Sequence, residues 1–174
     1  MLDRIDTLAQ QREAFRADVL DGLSRKPKTL PSRWLYDDRG SELFEEITAL
    51  PEYYPTRTET GILKERAGEI AAVFGPEAVL IEYGAGAGIK TEIVLAALEA
   101  PRLYVPIDIS GDFLEASAER IRKRFPGLAV APVVADFPAE FDLPGDLPRD
   151  GRRGGFFPGS TLGNLGRREA LAFL

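Results

Sequence analysis

The segment that indicates the fold of this 174-residue chain is Val79-Leu80-Ile81-Glu82-Tyr83-Gly84-Ala85-Gly86-Ala87-Gly88-Ile89-Lys90-Thr91. A short apolar run ends at an acid, three glycines follow at alternate positions, and a helix-compatible segment begins. This order predicts a strand that turns sharply into a helix, with backbone amides open to a ligand because glycine has no Cβ. A dinucleotide-binding turn, G-x-G-x-x-G, would need its third glycine at position 89, which is isoleucine here. The alternative is a turn that binds no ligand.

Beyond this segment, apolar strands alternate with helical stretches. The predicted strands are Val79 to Tyr83, Leu103 to Ile107, Leu128 to Val134 and Gly155 to Phe157. The predicted helices between and after them run from about Lys90 to Leu98, from about Gly111 to Phe125, and onward after Asn164. Such alternation predicts an α/β fold with a parallel, doubly wound sheet.

Helices are also predicted before the first strand. They run from about Asp6 to Leu23, from Gly40 to Leu50, and from Thr56 to about Gly75. In the second of them we expect Leu43, Phe44 and Ile47 to face inward. The third is predicted to begin with a capping box, because Thr56 and Glu59 have the spacing of that motif.

Composition excludes several kinds of chemistry. The net charge of −6 argues against non-specific nucleic-acid binding. No apolar run approaches the length of a membrane span, and the first residues lack a signal-peptide core, so we expect a cytoplasmic protein without a membrane partner. Cysteine and histidine are both absent, and no metal site is predicted. Catalysis must therefore use carboxylates, phenols, amides, hydroxyls or a cofactor.

Acids follow the next two predicted strands. Asp108 can accept hydrogen bonds from two ribose hydroxyls, and without a ligand it would cap the helix near Gly111. Asp136 can accept from an adenine amino group while the Phe137 N–H donates to a ring nitrogen, or it can stabilise the turn before Pro138. With the glycine turn, these residues predict an adenosine site at three successive strand ends.

The order acid-x-G-x-G-x-G resembles the first motif of Rossmann-like S-adenosylmethionine (SAM) methyltransferases. The resemblance implies that Gly84, Gly86 and Gly88 face the methionine half of that cofactor. The Lys90 ammonium, together with the helix N-terminus, can hold the carboxylate of this half, or it can be solvated. Glu82 either meets the cofactor's amine through water or orients the loop.

Three longer motifs carry a more specific resemblance. They are Tyr36-Asp-Asp-Arg-Gly-Ser-Glu-Leu-Phe-Glu-Glu-Ile-Thr, Leu50-Pro-Glu-Tyr-Tyr-Pro-Thr-Arg-Thr-Glu and Phe157-Pro-Gly-Ser-Thr-Leu-Gly-Asn-Leu. From about Leu30 onward, the chain is similar to the histidine-specific SAM-dependent methyltransferase family. The resemblance implies a Rossmann-like class I fold, with residues 1–56 as the helical part of a substrate domain and residues 57–174 as a SAM-binding domain.

The same resemblance assigns roles to three residues. Tyr54 resembles a histidine-contacting residue, with Tyr53 as the alternative register, and Asn164 resembles the residue that holds the substrate's amino or carboxylate group. Both are therefore the candidate catalytic and substrate-binding residues, and Tyr36 resembles a tyrosine beside the cofactor. The alternatives are aromatic packing for the two tyrosines and a helix N-cap before Arg167 for Asn164.

For function, the resemblance implies trimethylation of the α-amino group of L-histidine to the betaine hercynine, in ergothioneine biosynthesis. One alternative is a truncated or short paralogue that binds SAM or a partner without turnover. Another is an NAD-linked oxidoreductase, which Ile89 and Glu82 disfavour.

The resemblance also implies a sheet with further strands beyond the fourth. We therefore expect the chain to be the N-terminal part of a longer enzyme, or one cut at this point, and to be inactive alone. The alternative is a natural short protein that closes the sheet by dimerisation. In either case the predicted fourth strand is an exposed edge that favours self-association.

Overall fold

The computed structural model describes residues 2–136, 141–145, 147–148 and 152–174. The chain divides into two compact units, residues 1–37 and residues 38–174. The predicted boundary after residue 56, between the helical part of a substrate domain and a cofactor-binding domain, stays a prediction. In the described part of the chain, no helix combines the length and the apolar character that crossing a membrane requires.

The first unit consists of helix α1 (Leu2–Ser24) and a 3-10 helix (Ser32–Leu35). Asp18 joins the two, because its Oδ2 accepts hydrogen bonds from Trp34 Nε1 at 2.8 Å and from Arg33 at 2.6 Å. The Trp34 hydrogen bond, assisted by Arg33, lowers the pKa of Asp18. The indole also meets the Phe15 ring edge-to-face, with centroids 5.1 Å apart.

The second unit begins with helices α2 (Asp38–Thr48) and α3 (Tyr54–Phe74). The inward orientation predicted for Leu43 and Ile47 is wrong, since each is 42% exposed. The predicted capping box is also wrong. Helix α3 starts three residues earlier than the box requires, because its N-cap is Tyr53 and not Thr56, and Pro55 lies in its first turn, where the fixed φ of proline suits a helix.

Among the described residues of this unit, five parallel strands form a sheet. They are β1 (Val79–Tyr83), β2 (Leu103–Asp108), β3 (Ala129–Val130), β4 (Val133–Val134) and β5 (Arg153–Phe156). Helix α4 (Ile89–Ala97) follows β1, α5 (Gly111–Arg124) follows β2, and α6 (Arg167–Phe173) ends the chain. The strand order β3-β2-β1-β5, with β4 also paired to β2, confirms the predicted doubly wound α/β sheet.

The strand predicted over residues 128–134 is in fact two short strands. Tyr104 pairs with Val130, and the ladder resumes only where Ile107 pairs with Val133. Pro106 and Pro132 both lie in the interval between these pairs. Because proline has no N–H to donate, the ladder is interrupted where both strands carry one.

Side chains alternate between the two faces of the sheet, and each face has its own core. On one face, β-strand residues pack with α3, α4 and α5; its buried members include Leu63, Phe74, Leu80, Val94, Leu95, Tyr104 and Ile121. The opposite face buries Val79, Ile81, Leu103, Val105 and Ile107. Strand β5 lies at the edge of the described sheet, where Phe74 packs directly on Gly154.

Candidate functional site

The glycine turn connects β1 to α4, as the sequence predicts. Gly84, Gly86 and Gly88 have φ values of 70°, 48° and 64°, in the left-handed region that glycine adopts without strain. The N–H groups of Gly84 and Ala85 donate to the Ile107 carbonyl at 2.9 and 3.1 Å. The turn is therefore fastened to the carboxyl end of β2.

Asp108 fixes the centre of the turn. Its Oδ2 accepts the Gly86 N–H at 3.0 Å, and its Oδ1 accepts the Ser110 N–H at 3.1 Å. The alternative to ribose binding, a cap on the helix near Gly111, is not realised by Asp108 itself, because Ser110 occupies the N-cap position of α5. Each carboxylate oxygen can accept more than one hydrogen bond, so these contacts leave acceptor capacity for a ligand hydroxyl.

Gly86 and Gly88 are needed for different reasons. A Cβ on Gly88 would lie 2.8 Å from Ser117 Oγ, so that glycine permits α5 to pack against the turn. Arg120 of α5 also donates a hydrogen bond to the Ala87 carbonyl. A Cβ on Gly86 would meet no atom within 4 Å. The backbone at Gly86 is therefore open to close approach, and the site fits a group that lies against it.

Contrary to the prediction, four backbone amides of the turn are not open to a ligand. The N–H groups of Gly84, Ala85, Gly86 and Gly88 all donate within the protein, to Ile107, Asp108 and Ala85. The glycines therefore provide the conformation and the space of the turn more than a set of donors for an anion.

Glu82 lies inside the core at the end of β1, where its side chain is 1% exposed. Thr91 Oγ1 lies 2.6 Å from each carboxylate oxygen and donates to this group, and the Tyr104 hydroxyl donates to Oε2. Burial raises the pKa of Glu82 to about 7, against the lowering effect of these hydrogen bonds. The contacts support the interpretation that Glu82 orients the loop, since they tie β1 to α4 and β2.

Lys90 does not extend into solvent. Its ammonium lies 2.5 Å from Glu59 Oε2, and the other oxygen of Glu59 accepts the Gly159 N–H at 2.7 Å. Sequence reasoning missed this contact and assigned Glu59 to a helix cap. The available signal was its position at the end of the Leu50–Glu59 motif, but its partners lie 31 and 100 residues further along the chain.

The two tyrosines at the start of α3 differ in their surroundings. Tyr53 packs edge-to-face on Phe44 with centroids 5.8 Å apart, which is the aromatic packing named as the alternative. Tyr54 is 66% exposed. Its side chain is therefore more accessible to a ligand than that of Tyr53, which supports Tyr54 as the candidate.

Asn164 is exposed at the end of a 3-10 helix (Thr161–Asn164). It does not cap α6, because Gly166 occupies the N-cap position and its N–H donates to Glu169 Oε2 at 2.7 Å. The alternative role proposed for Asn164 is therefore excluded, and substrate binding stays a prediction.

Three candidates remain, namely Asp136, Tyr36 and Phe137. Asp136 is half-buried just after β4, and the N–H of the preceding Ala135 donates to the Asp108 carbonyl at 3.0 Å. Tyr36 belongs to the first unit, so its predicted place beside a cofactor stays a prediction. Phe137 lies outside the described residues. Among the residues that are described, no cluster of acidic side chains is suited to holding a metal ion.

The parallel sheet with the glycine turn after β1 is a Rossmann-like methyltransferase fold, with acids after the neighbouring strands at the same edge. Residues 15–174 match the family described as histidine-specific methyltransferase, SAM-dependent. The chain belongs to this family, which confirms the resemblance found in the three motifs.

Individual relatives of the chain are also named as N-methyltransferases. A histidine N-alpha-methyltransferase from Mycolicibacterium smegmatis is 42% identical over 165 residues, which cover 93% of this chain and 50% of that protein. The protein of the same name from Mycobacterium tuberculosis is 43% identical over 165 residues, covering 92% and 50%. A 4-dimethylallyltryptophan N-methyltransferase from Claviceps purpurea is 32% identical over 176 residues, covering 93% and 49%. The chain spans about half the length of these curated relatives.

Proposed function

We propose that this chain provides the SAM-binding part of an N-methyltransferase that acts on the α-amino group of L-histidine. Three transfers to that nitrogen would give the betaine of the ergothioneine pathway. The observation that carries the proposal is the open backbone at Gly86, held in place by Asp108, in a chain of the histidine-specific family. The net charge of −6 supports a small-molecule acceptor over a nucleic acid, and we expect the protein in the cytoplasm.

The residues around the turn suit SAM. The backbone from Gly84 to Gly88 would lie against the methionine half, Asp108 would accept from the ribose hydroxyls, and Asp136 would accept from the adenine amino group. Lys90 would pair with the carboxylate. When bound, SAM supplies an electrophilic methyl group on a sulfonium, and the protein's own residues have to orient the acceptor.

The acceptor chemistry suits a chain without histidine or cysteine. An amine is nucleophilic only when it is unprotonated, so the site must favour the neutral form. The amide oxygen of Asn164 and the phenol oxygen of Tyr54 can each accept an N–H of the amine without adding a charge. Holding the nitrogen in line with the methyl group can lower the barrier by about 7–11 kcal/mol in favourable cases.

Calorimetric titration with S-adenosylhomocysteine (SAH), SAM and NAD tests the cofactor. We expect the first two to bind and NAD not to bind. Gly86→Ala places a methyl group in the open space and should weaken SAH binding at least tenfold. Gly75→Ala is the matched control, because Gly75 has a φ of 75° and an open Cβ direction but caps the end of α3. Tight NAD binding without SAM binding would refute the proposal.

A methyl-transfer assay then tests the acceptor. Mass spectrometry of L-histidine incubated with SAM and a protein that contains this segment within the full length of its relatives should show one to three added methyl groups, and L-tryptophan serves as the comparison because one relative acts on a tryptophan derivative. SAM binding without any transfer would favour the alternative of a binding protein without turnover.

A further inference from the structure

Glu59 makes two strong contacts with separate parts of the second unit. Its Oε2 pairs with Lys90 Nζ at 2.5 Å, and its Oε1 accepts the Gly159 N–H at 2.7 Å. The side chains of Glu59 and Lys90 are 30% and 20% exposed, so the pair is partly shielded from water. Hydrogen bonds to charged groups contribute more than neutral ones, and partial burial strengthens them.

The two partners of Glu59 belong to different segments of the chain. Lys90 is the second residue of α4, directly behind the glycine turn. Gly159, with a φ of 83°, lies in the segment that follows β5 and leads to Asn164. A Cβ built on Gly159 would lie only 3.6 Å from Lys90 Nζ, so the three residues are packed together.

Glu59 also lies on the helix that starts with Tyr54, in the second turn of α3. One carboxylate therefore connects the helix bearing Tyr54, the segment leading to Asn164, and the lysine behind the glycine turn. These are the elements that carry the candidate acceptor-binding and cofactor-binding residues.

We infer that Glu59 is a positioning residue that holds Lys90 and the Gly159 segment in one fixed arrangement, so that cofactor and acceptor groups are set relative to each other. The inference rests on the proposed function. Glu59 uses one of the three N–H donors of the Lys90 ammonium and leaves two for a ligand carboxylate. Because the second oxygen is fixed by the Gly159 N–H, the carboxylate is held even without the lysine. A lysine restrained in this way loses less side-chain freedom when a ligand binds.

The test uses four variants of this chain and two measurements. Glu59→Ala removes both contacts, Glu59→Gln keeps an oxygen for the Gly159 N–H but removes the charge, and Lys90→Met removes the ammonium; the fourth variant combines Glu59→Gln with Lys90→Met. Glu65→Gln, an exposed position on the same helix, is the control. The measurements are the SAH dissociation constant by calorimetry and hydrogen exchange of the Gly159 amide by NMR.

We expect Glu59→Ala to accelerate Gly159 exchange about tenfold or more and to weaken SAH binding by a similar factor, equivalent to about 1.4 kcal/mol. Glu59→Gln should weaken SAH binding while keeping most of the protection at Gly159. If Glu59 acts on the cofactor through Lys90, the double variant should bind SAH no more weakly than Lys90→Met alone. If Glu59 had only a structural role, Glu59→Gln would not weaken SAH binding while the Gly159 amide stays protected.

The two hypotheses fail in different ways. If the unaltered protein binds no SAH, the proposed function is wrong. If it binds SAH, and Glu59→Ala and Glu59→Gln bind SAH as tightly with unchanged Gly159 exchange, the inference alone is wrong. Should Glu59→Ala fail to fold, Glu59→Gln still decides, because it retains the shape and one acceptor of the original side chain.

Discussion

Replacing Glu82 with glutamine is expected to change how the stability of the second unit depends on pH. The carboxyl group is 1% exposed, and burial raises its pKa from an ordinary 4.5 to about 7 despite hydrogen bonds from Thr91 and Tyr104. The Tyr104 hydroxyl stays protonated as a donor, because burial and the neighbouring Glu82 raise its pKa well above 10. Glutamine keeps the size and one oxygen acceptor but does not titrate.

The direction in which the unfolding free energy changes with pH follows from the number of protons bound in the folded and unfolded states. Between pH 4.5 and about 7, the folded protein keeps a proton on Glu82 that the unfolded chain has released. The free energy of unfolding therefore falls as the pH rises through this window, and Glu82 adds no further slope above it. A pKa difference of about 2.5, at about 1.4 kcal/mol for each pKa unit, corresponds to a loss of about 3 kcal/mol.

Urea unfolding followed by far-UV circular dichroism, at several values between about pH 4 and pH 8, measures this effect. The difference in unfolding free energy between Glu82→Gln and the unaltered protein should shift by about 3 kcal/mol in favour of the variant as the pH rises. The control Glu99→Gln, at an exposed position, should show the same pH dependence of the unfolding free energy as the unaltered protein. Parallel curves for the unaltered protein and Glu82→Gln would refute the argument.

Three further predictions concern the acceptor site and the sheet edge. In an active protein that contains this segment, Tyr54→Phe and Asn164→Ala should lower kcat/KM for histidine at least tenfold and change the SAH dissociation constant less than threefold; unchanged kcat/KM would contradict their roles. Gly154→Ala should destabilise the protein by about 1–3 kcal/mol, because its methyl group collides with the Phe74 ring, whereas Gly155→Ala, with a Cβ at an ordinary 3.5 Å from its nearest neighbour, should cost less. The chain should self-associate through the β5 edge, and light scattering that shows a monomer over a wide concentration range would contradict this.

The sequence predicts β1 and β2 to within one residue because both are buried on two faces and are therefore continuously apolar. It fails for β3 and β4, where an apolar run looks continuous although Pro106 and Pro132 interrupt the pairing. Propensity within one strand contains no information about a proline in the neighbouring strand. Pro132 lies inside the predicted strand and was a local signal of the interruption, so only the contribution of Pro106 is one of tertiary context.

The same limit applies to the site. The glycine turn and Asp108 can be found from the sequence because turn chemistry and strand ends are local features. The ion pair between Glu59 and Lys90 depends on α3 packing beside α4, and the local spacing of Thr56 and Glu59 pointed to a helix cap instead. Side chains that join distant segments are the part of a site that local patterns miss.

The internal bonds of the glycine turn bear on which cofactor it can accept. A pyrophosphate is held by backbone N–H groups that point toward it at a helix N-terminus. Here the N–H groups of Gly84, Ala85, Gly86 and Gly88 are already used within the protein. Occupying them with a pyrophosphate would require breaking the bond from Gly86 to Asp108 or the bonds to Ile107. A ligand that needs close approach to Gly86 but few donors from the turn avoids this cost, which is a second reason, independent of Ile89, to expect SAH to bind and NAD not to bind.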